Sequence, residues 1–249
     1  KLETFPEGLS QINTLEIVNL NGNPIQYLPA GIDNWKNLLE LHLKSTNLQE
    51  LHDTLGTFQK LRELSLFSNQ LTHLPASITQ LTALQVLELS GNYLEELPAG
   101  LFKLPKLRVL NAEYNTLQAL PDTISPDSGL TRLALTYNQL TQLPADIENL
   151  TLLNTLLLGE NQLAELPDCF DTLEQLSILA LNDNELQQLP KSLLNAQQLT
   201  NLDLSNNQIT ALKFKKWSQL RLLNLTDNPL DFNLVHQIQQ TLPYAQITF

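Results

Sequence analysis

The chain has 249 residues, a formal net charge of −12 and a hydrophobic fraction of 42 %. That charge argues against nucleic acid and anionic membrane surfaces, which are both polyanions, and makes a basic or zwitterionic partner electrostatically easier. The apolar fraction suffices for a substantial core, yet no apolar run approaches the ~20 residues that cross a bilayer and no signal-peptide pattern is present.

The single cysteine, Cys169, forms no intramolecular disulfide, so the fold must stand on packing. This points to a reducing or a bacterial compartment: cytoplasmic, or secreted or surface-exposed on a bacterium if a leader was removed. The chain has no methionine, which is expected of a processed form or an excised fragment.

One pattern, L-x-x-L-x-L-x-x-N-x-L, recurs along the chain. It begins at Leu15, Leu38, Leu61, Leu84, Leu107, Leu130, Leu153, Leu176, Leu199 and Leu220. The step is 23 residues (Leu15 to Leu38) until the last, which is 21 (Leu199 to Leu220). A unit this short cannot bury its own apolar face, so neighbours must stack and share one core. Within each unit the x-L-x-L-x stretch alternates with period two, as a half-buried strand does. One strand per unit in a constant direction gives a parallel sheet with rungs ~4.8 Å apart, an arc of roughly 50 Å for ten rungs. The asparagine that follows each strand offers its amide to backbone groups exposed where the chain turns. The second half of each unit reads L-P-x-x-I/L-x-x-L, as from Leu74-Pro75 to Ile78 and Leu81. Proline cannot join a ladder, so this half forms short 3-10 or helical turns on a bulkier convex side.

In chain order, residues 1–14 fit the second half of a unit whose strand is missing, with Leu2, Phe5-Pro6, Leu9 and Ile12 in register. Ten repeats fill 15–230. The second has Thr46 for the asparagine and His52 for the proline. The fifth ends in Pro126-Asp127-Ser128-Gly129, which predicts a locally exposed convex turn. The shortened unit holds Lys213, Lys215, Lys216 and Trp217. Trp35 and Trp217 take the place of Leu81 and Leu104, which makes them packing residues with lysines snorkelling beside Trp217. Residues 231–249 read as a cap. Asp231 is the N-cap of a helix with Phe232, Val235, Ile238 and Leu242 on its apolar face, Pro243 stops it, and Ile247 and Phe249 fall where an eleventh rung is due. The whole of 1–249 is thus expected to be a single domain.

This pattern resembles the leucine-rich repeat family in its 23-residue "LP" subclass, over nearly the whole chain. The tail L-P-Y-A-Q-I-T-F is similar to the closing segment of free-standing bacterial members. The resemblance implies an α/β solenoid, a curved horseshoe with a parallel sheet on its concave face, and recognition of a partner protein on that face.

The variable positions of the strands carry the candidate site. Tyr114 and Tyr137 share the eighth position in adjacent units, so their rings should lie one rung apart, with Phe67 and Tyr93 flanking them and Glu88, Glu113, Arg132 and Glu160 around them. Exposed tyrosine gives large contact area at low entropic cost. The same two rings could instead stack only to shield the sheet edge. Units three to seven are expected to hold the main contact patch, and an outlying residue such as Asp203 is expected to matter less. Glu40, Glu63, Glu88, Glu113, Glu160, Asp183 and Asp203 outnumber Lys44 and Arg132 on this face, which predicts a partner with a basic rim.

No chemistry is apparent. His42, His52, His73 and His236 have no second ligand at metal spacing, Cys169 has no basic neighbour in sequence, and no phosphate-cradling glycine loop exists. Asn149 and Asn224 match the glycosylation sequon by coincidence of common residues. The expected protein is a non-catalytic interaction module without cofactor, nucleic acid or membrane insertion, with a monomer favoured. Two alternatives stay open: the targeting arm of a larger enzyme of ubiquitin-ligase or GTPase type, and a surface adhesin that stacks glycans on the tyrosines.

Overall fold

The computed structural model describes residues 1–212 and 217–249. Lys213, Lys215 and Lys216 of the shortened unit lie outside the described residues. Three-residue strands form one parallel sheet in chain order: β1 Ile17–Asn19, β2 Glu40–His42, β3 Glu63–Ser65, β4 Val86–Glu88, β5 Val109–Asn111, β6 Arg132–Ala134, β7 Thr155–Leu157, β8 Ile178–Ala180, β9 Asn201–Asp203, β10 Leu222–Asn224 and β11 Gln246–Thr248. The register equates like positions of neighbouring units, for example Val109↔Arg132 and Arg132↔Thr155. Each residue therefore has the same position of the next unit as its neighbour, and every variable position becomes a column along the concave face.

The central residue of each strand points into the core; Leu41, Leu64, Leu87, Leu110, Leu133 and Leu156 are all fully buried. Burial of one leucine contributes about 2 kcal/mol, and the repeat stacks that gain rung after rung.

Proline precedes most of the convex 3-10 segments, as at Ala76–Gln80, Ala99–Lys103 and Ala145–Asn149, and it precedes the short helix α1, Lys191–Leu194. Its fixed φ suits this entry position, and its carbonyl accepts the first turn's bond, as Pro75 does from Ile78 N–H (3.0 Å). His52 replaces proline with a different device: its Nδ1 accepts from Thr54 N–H (3.2 Å). After the fifth strand no 3-10 segment forms. Ser128 N–H closes a turn on Ser125, and Pro126 and Asp127 are exposed. Gly129 is buried there, and the Arg108 guanidinium occupies the space that a Cβ at this position would take. Trp35 and Trp217 are buried in the core, and their indole N–H groups donate to Leu9 O (3.0 Å) and Leu193 O (2.9 Å).

The buried asparagines tie the rungs together. Asn138 donates to its own Leu135 carbonyl (2.9 Å) and to Ala112 of the preceding rung (3.0 Å), while its Oδ1 accepts from Leu117 N–H (3.0 Å). The same three bonds recur at Asn92, Asn115, Asn161, Asn184 and Asn207. Thr46 substitutes in the second unit, with its hydroxyl 3.0 Å from Leu43 O and its N–H donating to Asn69 Oδ1 (3.1 Å).

The C-terminal helix α2, Phe232–Thr241, starts where expected, with Asp231 accepting from Leu234 N–H at 2.7 Å. Its buried face differs from the expectation. Ile238 is fully buried, and Leu234 and Leu242 pack beside it, but Phe232 is 84 % exposed. At 100° per residue Leu234 and Leu242 lie close to Ile238 around the helix, whereas Phe232 lies a third of a turn away. β11 then pairs with β10 through Leu223↔Ile247.

Replacing Asn138 by alanine strands a buried N–H and two carbonyls at once. Asn138→Ala is expected to lower unfolding stability by about 3 kcal/mol, read as a drop in the denaturant midpoint. Gln139→Ala, at the exposed neighbour, should stay within about 0.5 kcal/mol. Equal midpoints for the two variants would show that the amide ladder is not what couples the rungs.

Candidate functional site

The eighth position of every unit has a left-handed backbone: Gly22, Ser45, Ser68, Gly91, Tyr114, Tyr137, Glu160, Asp183, Asn206 and Asp227 have φ between 50° and 70°. The cause is the exit from the strand. The chain must turn toward the buried asparagine while the N–H of the eighth residue still reaches the next rung, as Tyr114 N–H does to Thr136 O (2.9 Å) and Tyr137 N–H to Gly159 O (3.0 Å). Glycine, asparagine and aspartate accept this conformation readily. A bulky residue does so at a cost of roughly 1–2 kcal/mol.

Tyrosine at two successive rungs is therefore the expensive choice. The rings stack at 4.4 Å between centroids and 15° between planes, which returns part of that cost. They remain 54 % and 43 % exposed. The Glu160 carboxylate of the next rung acts on the Tyr137 hydroxyl as a hydrogen-bond acceptor and by its charge, and both raise the phenol pKa above its ordinary value.

The other expected residues are not all alike. Both Glu88 oxygens are engaged within the protein, with Ser90 N–H (2.9 Å) and Asn111 Nδ2 (3.0 Å). Asp183 accepts from Asn182 (2.9 Å) and Asn206 (2.7 Å). Glu113 has no side-chain partner among the described residues, and neither has Arg132, which stands between Val109 and Thr155 in its column. Phe67 is half-buried under Lys44, whose ammonium lies 4.7 Å from the ring centroid. Tyr93 is exposed, and among the described residues it makes no ring contact with the tyrosine pair. Near the N-terminal end His42 sits between Glu40 (3.1 Å) and Glu63 (3.7 Å).

A second feature escaped the sequence reading. Ile178, Ala180 and Leu222, with Asn201, Asn224, Gln246 and Thr248, line a shallow concave depression of about 320 Å³. Asp203, placed outside the patch by the sequence, is part of its wall. The signal was apolar residues at strand positions that face solvent; β11 completes the hollow.

The convex side offers little chemistry. Burial, then the charges of Glu148, Asp171 and Asp168, push the Cys169 thiol up to about 11, so it stays protonated at neutral pH. Among the described residues no group of three or more His, Cys, Asp or Glu could hold a metal ion. No described helix is long and apolar enough to cross a membrane.

A family model described as leucine rich repeat matches residues 36–94 and 128–186, and a second one matches 198–217. Together the matches cover more than half of the chain, which belongs to the leucine-rich repeat family. The comparison with curated proteins gave no match. Among solved structures, the chain is similar to a leucine-rich repeat protein of Leptospira interrogans, with 28 % identity, a TM-score of 0.50, and coverage of 100 % of this chain and 82 % of that one. It is similar to the functional domain of InlJ from Listeria monocytogenes, with 26 % identity, a TM-score of 0.78 and 91 % of this chain covered; it spans about half of that domain (47 %). It is also similar to the repeat chain of FLRT2, solved in an octameric complex with Latrophilin 3 and Unc5D, with 27 % identity, a TM-score of 0.82, and coverage of 98 % and 78 %.

The tyrosine–carboxylate contact has a measurable sign. Tyr137 holds its proton more tightly in the folded state, so the bond's contribution is full below about pH 10 and declines as pH rises through the raised pKa. Glu160→Gln is expected to bring the Tyr137 pKa down toward the ordinary phenol value, followed through the ring ¹³Cζ resonance. An unchanged titration curve would mean that Glu160 is not the cause.

Proposed function

We propose that the protein is a recognition module that binds a partner protein on the concave face, centred on units three to seven, and performs no reaction itself. The observation that carries this reading is the Tyr114–Tyr137 stack: two large exposed rings held on an unfavourable backbone, where eight of the ten units use glycine or a small or polar residue. Stability alone disfavours tyrosine there. Residues that cost stability and remain exposed on a rigid sheet are what a binding surface requires.

The partner's rim is basic. Net charge is −12, and Glu113 is an acid of this face left without an internal partner among the described residues. Lys44 lies over Phe67, and Arg132 is a cation of this face without a side-chain partner among the described residues. Opposite charge of this kind accelerates encounter more than it deepens affinity. The FLRT2 chain, which meets protein partners in its complex, offers a parallel for use of the same fold in protein recognition.

The test replaces both tyrosines with asparagine, which this column already holds at Asn206 with φ 50°. A partner captured by the unmodified protein should bind the Tyr114→Asn/Tyr137→Asn variant about 30-fold more weakly, the scale of a binding hot spot. Glu174→Lys on the exposed convex side should change affinity less than threefold, roughly the scatter expected of a residue outside the contact. The association rate should fall as salt rises. Sensitivity at Glu174 with indifference at the tyrosines would move the site off the concave face.

A further inference from the structure

The tyrosine stack has unlike neighbours at its two ends. Its axis runs along the sheet, because the two rings come from adjacent rungs and lie 4.4 Å apart and nearly parallel. The far face of Tyr137 therefore looks toward the seventh rung, where the same column holds Glu160. The far face of Tyr114 looks toward the fourth rung. There the same column holds Gly91, which has no side chain. A Cβ built on Gly91 would meet Ser68 of the third rung first, at 3.4 Å, and Tyr114 is the more exposed of the two rings, at 54 % against 43 %. Tyr93 belongs to the same rung but makes no ring contact with Tyr114 among the described residues.

The gap is one rung wide, about 4.8 Å, and takes a single flat group at stacking distance. Its surroundings are acidic. The Gly91 N–H bonds the Glu113 carbonyl (3.0 Å), which places Glu113 beside the gap with its carboxylate unpartnered among the described residues. The protein shows the fitting chemistry once within itself. Two units earlier in the neighbouring column, Lys44 lies over the face of Phe67, the ring of the next rung, at 4.7 Å. Tyr114 presents the equivalent face to the preceding rung, and among the described residues no cation covers it.

We propose that the gap above Gly91 is a receptor slot for one arginine side chain of the partner, its guanidinium stacked on Tyr114 and charge-paired with Glu113. The proposal rests on the concave-face reading and gives it a specific anchor. Arginine suits the slot better than lysine because a guanidinium is planar, stacks on aromatic faces, and sheds water more easily than an ammonium.

The test uses the full chain, labelled with ¹⁵N and with ¹³C-tyrosine, and N-acetyl-arginine amide as the probe. The Tyr114 ring resonances and the Gly91 amide are expected to shift saturably. N-acetyl-citrulline amide, flat but uncharged, should bind about fivefold more weakly. Gly91→Asn places a side chain in the slot on a backbone that the column tolerates at Asn206, and it should abolish the Tyr114 shifts with the melting temperature retained. Glu113→Gln should weaken the probe without closing the slot. Absence of Tyr114 shifts, equal binding of citrulline, or full binding to the folded Gly91→Asn variant would each overturn the proposal. If the slot fails while the double tyrosine variant still releases a captured partner, concave-face recognition stands without an arginine anchor. If neither variant affects the partner, the concave-face reading itself falls.

Discussion

The buried asparagine amide is the interaction on which the rest of the structure depends. A strand of three residues makes too few backbone bonds to hold a rung in place. Each amide adds a donor bond to its own turn, another to the preceding rung, and an acceptor for that rung's next N–H. Those groups are buried, and leaving them without partners would cost about 3 kcal/mol, more than the burial of one core leucine contributes. The amide therefore sets where the chain leaves the sheet. That exit imposes a left-handed residue just before the asparagine, or before Thr46 in the second unit, and the left-handed column is where the tyrosines stand.

Function in this molecule is thus a departure laid over a structural necessity. The eighth column must exist, and glycine, serine, aspartate or asparagine would serve it. Tyr114 and Tyr137 spend backbone stability to display two rings, and the stack they form is polarised by its neighbours: a carboxylate at one end, an absent side chain at the other. The surrounding acids divide in the same way. Glu88 and Asp183 hold the face together through bonds to Ser90, Asn111, Asn182 and Asn206, and Glu113 remains for a partner.

Much of the fold was legible because a parallel, in-register solenoid makes sequence spacing into spatial adjacency. Residues one period apart are rung neighbours, so the columns, the tyrosine stack and the eleventh rung can be read by counting. Counting misled at Phe232, where apolar type was taken for the buried face although the helical angle points it to solvent. It also missed the depression at β8 to β11, because scattered apolar residues at outward positions resemble ordinary surface until the last strand closes the hollow.

The sequence by itself determined the repeat, its register, the convex proline turns and the membership of each column, since all of these follow from a local period. Only the tertiary structure decided which side chains are free. Whether Glu88 is engaged, whether Lys44 is taken by Phe67, and whether a ring face is open depend on rotamers and hydrogen bonds made between rungs. The physical reason is that spacing specifies which residues meet, while their remaining capacity to bind anything else is settled by the contacts they make once they have met.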